Sequence, residues 1–446
     1  MEKYEFTSKI VSIDLIVKNR HKIVPVVKGS LFVFKKSLLY LYHLFIVTTN
    51  HSNHFIDLTT SISFPFFLVS CDDLHQKMDK PQVITLIEKN LNYSVFDVKW
   101  IPCSAKFVVL GSNPKGTGVL EIYELNDEKA DLVKEITQKT SVRCGTFGAT
   151  SIRDSHLALG DFNGKLSVLN LERPDTPIYE VTDAHSDIIN TIDGVSGQNI
   201  DCGAPEIVTG SRDGKVKVWD VRQKDIPVAC MSSEDAKIER DCWAVAFGDS
   251  YNSVERAVAA GYDNGDLKLF DLRNMAVRWE TNLRNGICGI EFDRKDIRMN
   301  KMVVCTLEGG LNVYDMKVQH PTKGFAVVRE KNAGRSLGSH GVISGAKATV
   351  WSVRHLPQNR DIFVSCGGTG SIRLWNYEYP TKREEALSDG IKQGIAGTLS
   401  MINATTLSTQ PVNSFDWSAD FEGLAVCGAF DQTVRVLITT KLNMYE

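Results

Sequence analysis

The sequence predicts an all-β chain, a seven-bladed β-propeller whose ring is closed by a strand near its N-terminus. Three observations predict it. A short motif recurs seven times, each copy reads as a β-hairpin, and the last copy lacks a fourth strand that an unassigned early run can supply. The composition agrees with a globular chain: 43% of its 446 residues are hydrophobic and 24% charged.

The copies begin at Gly116 and Gly160, run through Gly210 to Asp220 (GSRDGKVKVWD) and Gly261 to Asp271 (GYDNGDLKLFD), and continue at Thr306, Gly367 and Gly428. One large apolar position repeats as Tyr123, Leu169, Trp219, Phe270, Tyr314, Trp375 and Leu437. Internal repeats of this length signal propellers or solenoids. In each copy a β-rich run meets a turn such as Asp213-Gly214, and a strand alternating polar and apolar residues leaves it. Cys242 to Phe247 is apolar throughout, as a strand buried on both faces requires. One blade cannot bury both its faces, but a ring of seven can. Val83 to Lys89 is the run expected to pair with the last copy and remove its open edge. Spacing between the last copies leaves room for insertions, expected as loops between blades near 333–347 and 381–400.

Residues 1–77 differ in texture. They hold one of the 33 glycines, Gly29, and none of the seven tryptophans. So few glycines cannot supply the tight turns of another blade. Met78-Asp79-Lys80-Pro81 reads as a start of its own, so 1–77 is expected to be an atypical extension ahead of a propeller spanning 78–446, either a gene-model artefact or an apolar arm that packs somewhere or binds a partner.

The ten cysteines include no Cys-x-x-Cys pair, which argues against a zinc ribbon and for small core residues in a reducing compartment. A net charge of -3 argues against a nucleic-acid partner. Leu38 to Val47 is too short to span a bilayer, which needs roughly 20 residues. The reading is a cytoplasmic monomer with no membrane contact.

From Met78 onward the chain resembles WD-repeat proteins of the Monad type, which are axonemal dynein assembly factors. The stretches that carry this are Val95 to Phe107, Cys144 to Thr150, Ala204 to Gly214, Ala260 to Gly265, Phe270 to Ala276 and Gln319 to Phe325. The resemblance implies a scaffold. It is expected to join a prefoldin-like and RuvB-like ATPase co-chaperone assembly to dynein heavy chains before motile cilia are built. A role in apoptosis also attaches to the family. His185, Thr209, Asp213 and Trp219 resemble the buried His–Ser/Thr–Asp–Trp network of WD repeats, a structural lock. Trp219-Asp-Val-Arg222 and Phe270-Asp-Leu-Arg273 resemble the boxes by which propeller receptors dock on the cullin-4 ubiquitin ligase adaptor. Within the fold, such Asp–Arg pairs can equally tie neighbouring blades.

No phosphate loop, nucleophile elbow or His-Glu-x-x-His motif is present, so no catalytic, cofactor or metal residue is assigned. Pro114 to Gly118 reads as a hairpin turn. Asp213, Asp263 and Asp431 recur before the third strand, where a side-chain oxygen can hold the turn's own N–H groups. Aligning the copies gives a candidate partner-binding ring around the channel. Phe96, Arg143, Asn190, Trp243, Cys288, Trp351 and Asn413 begin the inner strands, and Phe162, Arg212, Tyr262, Leu307 and Phe430 sit in the turns. Aromatic residues and Arg dominate interface hot spots.

Overall fold

A computed structural model describes residues 80–445 except 127–128, 196–205, 224, 233–239, 253, 338–342 and 389, together with two early strands. The chain divides into two compact units, residues 1–69 and 70–446. Within the first, Ile13–Val17 pairs antiparallel with Ile23–Val27. The rest of 1–77, and hence most of the extension, lies outside the described residues.

The second unit is a ring of seven four-stranded antiparallel sheets. The inner strands, in order of blades 1 to 7, are Ser94–Trp100, Val142–Thr146, Ile189–Gly194, Cys242–Gly248, Ile287–Phe292, Val350–His355 and Val412–Trp417. Each of the seven repeated large side chains lies on its blade's third strand and is buried. The turn before that strand needs a left-handed residue. Gly164 (φ 79°), Gly214 (φ 76°), Gly265 (φ 88°) and Gly370 (φ 74°) supply it, and Gln432 (φ 62°) does so in blade 7.

Closure follows the expected route. Gln82–Asn90 pairs with Thr433–Thr440, from Gln82 opposite Thr440 to Asn90 opposite Thr433, and becomes the outer strand of blade 7. The Arg435 guanidinium holds it by bonding Glu88 (3.0 Å) and Asp431 (2.8 Å). Tyr93, Val95, Val98 and Trp100 then pack against Val426, Val434 and Val436, so blades 7 and 1 share one apolar core. Elsewhere blades approach within backbone contact: a Cβ on Gly194 would lie 2.2 Å from the Gly148 carbonyl carbon.

Four expectations need correction. The 381–400 insertion lies inside blade 6, between Ser371–Glu378 and the outer strand Thr398–Thr406, which takes its last three residues. It also folds: Glu384–Ala386 pairs with Lys392–Gly394, and Arg383 forks onto Asp315 of blade 5 with two 2.7 Å bonds. The 333–347 insertion does lie between blades, but Arg335–Leu337 pairs there with Ile343–Lys347. Chain that binds its own backbone groups in a hairpin is not featureless loop. Finally, Cys103 and Cys230 are exposed, whereas Cys144, Cys242, Cys305, Cys366 and Cys427 are buried. The first two follow a strand end and face out of a short outer strand, where alternation points side chains to solvent.

Candidate protein-interaction face

In blade 3 the Trp219 indole N–H donates to the Thr209 hydroxyl (2.8 Å), which lies 2.8 Å from His185 Nε2. On its other side His185 Nδ1 lies 3.0 Å from Asp213. The consistent reading runs Trp219 to Thr209 to His185 Nε2, with the Nδ1–H donating to Asp213. Burial pushes the His185 pKa down despite the Asp213 hydrogen bond, so the ring is neutral at pH 7 and can accept at Nε2. Asp213 also accepts the Ser186 (3.1 Å) and Lys215 (2.9 Å) backbone N–H groups. Burial opposes its ionisation, but these donors outweigh it and hold the carboxyl well below its ordinary range. All four side chains are buried, so the array locks a blade and reaches no substrate. Blade 6 keeps half of it, Trp375 donating to the Ser365 hydroxyl (2.8 Å).

The turn carboxylates follow the expected pattern at Asp213 and at Asp431, which accepts the Thr433 N–H (3.0 Å). At Asp263 they do not. Its neighbour Asn264 takes the role, accepting the Asp266 N–H (3.0 Å), because that turn carries a capping side chain at both positions. Pro114 to Gly118 is a hairpin turn, with the Gly116 N–H donating to the Asn113 carbonyl (2.9 Å).

A central channel of about 370 Å³ is lined by all seven inner strands. Phe96, Arg143, Asn190, Trp243, Cys288, Trp351 and Asn413 all line it. Each is also the residue at which its strand's pairing register slips, as between Val95 and Asp97 or Cys242 and Ala244. A β-bulge leaves one residue out of the ladder and re-aims its side chain. Seven bulges in one register therefore turn seven side chains into one ring. Of the turn residues, Phe162 packs at 5.3 Å and a 44° tilt against Phe96 and Phe430 meets Trp351 at 6.0 Å, while Arg143 lies over Phe96 at 5.5 Å. Arg212 is exposed beside Asp241 (3.7 Å), and Leu307 is exposed too.

Tyr262 is not part of this face. It is 5% exposed and packs with Phe247, Val245 and Phe270. It is the last residue of its strand, paired opposite Cys242, whereas Arg212 already lies past its strand's end. Asn190 and Asn413 spend amide N–H groups on the next blade: Asn190 donates to the Cys242 carbonyl (3.2 Å), Asn413 to those of Val95 (3.0 Å) and Phe96 (3.1 Å).

Sequence reasoning missed the charges deeper in the channel. Asp193, Glu291 and Asp416 each lie three residues past a bulge, and each accepts an N–H from the next inner strand: Phe247 (2.9 Å), His355 (2.5 Å) and Trp100 (2.8 Å). Asp97 likewise accepts the Gly145 N–H (3.0 Å) and the Ser414 hydroxyl (2.6 Å). These carboxylates cap the donors that each blade's innermost edge leaves unpaired. The signal was available as an acid recurring at one offset in blades 3, 5 and 7. Burial raises Asp416 to about 6; Asp97 resists the same pressure because Lys99 and Ser414 hold it below its ordinary range.

At the two boxes Arg222 closes on its own Asp220 (2.6 Å) rather than tying neighbouring blades. Arg256 of blade 4 makes that tie, to Glu206 of blade 3. Among the described residues no group of His, Cys, Asp and Glu is placed to hold a metal, and no helix is long and apolar enough to cross a membrane.

The model of the WD domain, G-beta repeat, matches residues 176–220 and 337–376. The WD40 β-propeller domain of Doa1 superposes with a TM-score of 0.57 at 16% identity, covering 82% of this chain and 99% of that one, which shows the fold. Curated relatives named dynein axonemal assembly factor 10 cover 82% of this chain and 98% of their own length. They are 58% identical over 366 residues in Xenopus laevis, 58% over 365 in Homo sapiens and 50% over 365 in Chlamydomonas reinhardtii. With the WD repeats, the sevenfold ring and this identity over nearly the whole length of those relatives, the chain belongs to the dynein axonemal assembly factor 10 family.

Proposed function

We propose that the chain is a non-enzymatic scaffold for axonemal dynein preassembly in the cytoplasm. In this reading the propeller of 78–446 acts as a monomer that joins a prefoldin-like and RuvB-like ATPase co-chaperone assembly to dynein heavy chains. The observation that carries it is the ring of seven bulge residues, rich in aromatic side chains and set on a rigid closed fold. Rigid aromatic anchors bind proteins at low entropic cost. The relatives' name supplies the process. The test is to remove the protein from multiciliated cells and follow axonemal heavy chains in cytoplasmic extracts by gradient sedimentation. The expected result is loss of assembled heavy-chain complexes, restored by the wild-type chain. Normal assembly in its absence would refute the role.

One observation favours a second reading, a receptor of the cullin-4 ubiquitin ligase. Arg273 is exposed, and its guanidinium has no partner among the described residues. It borders a hollow of about 150 Å³ with exposed Val254 and Met275. Capture of the cullin-4 adaptor, lost in Arg222→Ala with Arg273→Ala, is the result that reading requires.

A further inference from the structure

The ring is not uniform. Its charged members, Arg143 and Arg212, lie in blades 2 and 3, and Arg212 sits between Asp187 (4.0 Å) and Asp241 (3.7 Å). Across blades 6, 7 and 1 the ring is neutral: Trp351, Asn413, Phe430 and Phe96. Two polar atoms within this arc lack a hydrogen-bond partner although both are buried, the Trp351 indole N–H and the Asn413 side-chain oxygen. Four other tryptophans do not share this state. Trp100, Trp219, Trp375 and Trp417 donate to Asp416, Thr209, Ser365 and Arg354. Nor is the Asn413 amide free to turn, because its nitrogen is pinned to the Val95 and Phe96 carbonyls, which fixes where the oxygen points. A buried polar group without a partner is costly and calls for an explanation.

One donor and one acceptor occupy equivalent bulge positions on consecutive blades, walled by Phe430 against Trp351 and by Phe96 beside Asn413. A peptide unit offers the complement, one C=O and one N–H. Resting on the interaction-face reading above, we infer that the arc of blades 6, 7 and 1 binds an extended, uncharged polypeptide segment of a partner. One peptide unit of that segment accepts from Trp351 Nε1 and donates to Asn413 Oδ1. Its apolar side chain packs against Phe430 and Phe96. Phe430 is 43% exposed on a turn, so it can yield to the incoming segment. A charged segment is disfavoured because the charged groups beside this arc are already engaged within the fold, Asp97 by Lys99 (2.6 Å) and Ser414 (2.6 Å) and Arg143 over Phe96 (5.5 Å), and burying an unpaired charge is costly.

The test uses the full-length chain and random twelve-residue peptides displayed on phage. Selected peptides are resynthesised, and their affinities measured by calorimetry against wild type, Trp351→Phe, Trp243→Ala and Asn413→Leu, each checked for a native melting profile. The expected binders are neutral around one apolar residue. Trp351→Phe keeps a six-membered aromatic ring, loses the N–H and trims some packing, and should weaken binding roughly fivefold to tenfold, the scale of one hydrogen bond. N-methylation of one peptide nitrogen should cost the wild type a similar factor and cost Asn413→Leu nothing further. If peptides lose affinity in Trp243→Ala but ignore Trp351→Phe and every N-methylation, the face reading stands and this segment chemistry is wrong. If selected peptides bind all variants equally, or none are selected, both are wrong.

Discussion

Thr209→Val isolates the central link of the blade 3 lock. Valine keeps the shape of threonine and deletes one hydroxyl at a fully buried position. That hydroxyl bonds Trp219 Nε1 and His185 Nε2, each at 2.8 Å, and lies farther, 3.4 Å, from the Lys217 carbonyl. Both rings are buried, so the substitution strands one donor and one acceptor. At about 1–3 kcal/mol for each stranded group, the cost is about 3 kcal/mol. Trp219→Phe removes the donor and trims packing, leaving the Thr209–His185 bond in place, for about 2 kcal/mol. In the double variant the stranded indole N–H no longer exists. The double variant should therefore cost about 1 kcal/mol less than the sum of the two single costs. Urea unfolding of all four proteins measures this. Costs that add to within about 0.5 kcal/mol, the behaviour of independent sites, would refute the linked chain.

Deleting residues 1–77 should leave the melting temperature nearly unchanged, while deleting 1–90 also removes the Gln82–Asn90 strand and should abolish soluble expression. Asp416→Asn has a signed pH dependence. The folded pKa, raised to about 6 by burial, exceeds the unfolded value of 3.8, so the wild-type contribution is present below 3.8 and lost as pH rises through about 6. Asparagine retains an oxygen for the Trp100 N–H, so the variant should be more stable than wild type at pH 7.5 by about 1–2 kcal/mol, a gain that shrinks toward pH 4.5; an equal gain at both values would contradict the cause. The purified chain should show no saturable nucleotide hydrolysis; an activity abolished by one point substitution would overturn the scaffold reading.

The fold was legible because repetition is legible. Seven hairpins, a missing last strand and a spare early one define a closed ring before any contact is known. The insertions were harder. Gly- and Ser-rich sequence at 333–347 and polar sequence at 381–400 lack the alternation that marks strands, yet both pair locally, and Arg383 finds Asp315 on another blade. Aligning the copies found the ring positions, but alignment cannot distinguish a side chain at a strand's end from one past it. That is why Tyr262 and Arg212 parted. The bulges left no mark in composition, since the extra residue is simply the next one in the chain. The capping acids did leave a mark, an acid at one offset in three blades, but Lys99, Thr146, Ala246 and Arg354 hold that offset in the other four and obscure it.

The claim that the bulge ring binds partners is tested most directly by Trp243→Ala and Trp351→Ala in binding to a purified prefoldin-like and RuvB-like ATPase assembly. Both indoles line the channel and are partly exposed, so truncation should cost folding less than the 3–5 kcal/mol typical of a buried tryptophan. Each should weaken binding by about 2 kcal/mol, roughly thirtyfold, the scale of an interface hot spot. Unchanged affinity in folded variants, with loss instead on substituting the hairpins at 333–347 or 384–394, would move the binding site to the rim.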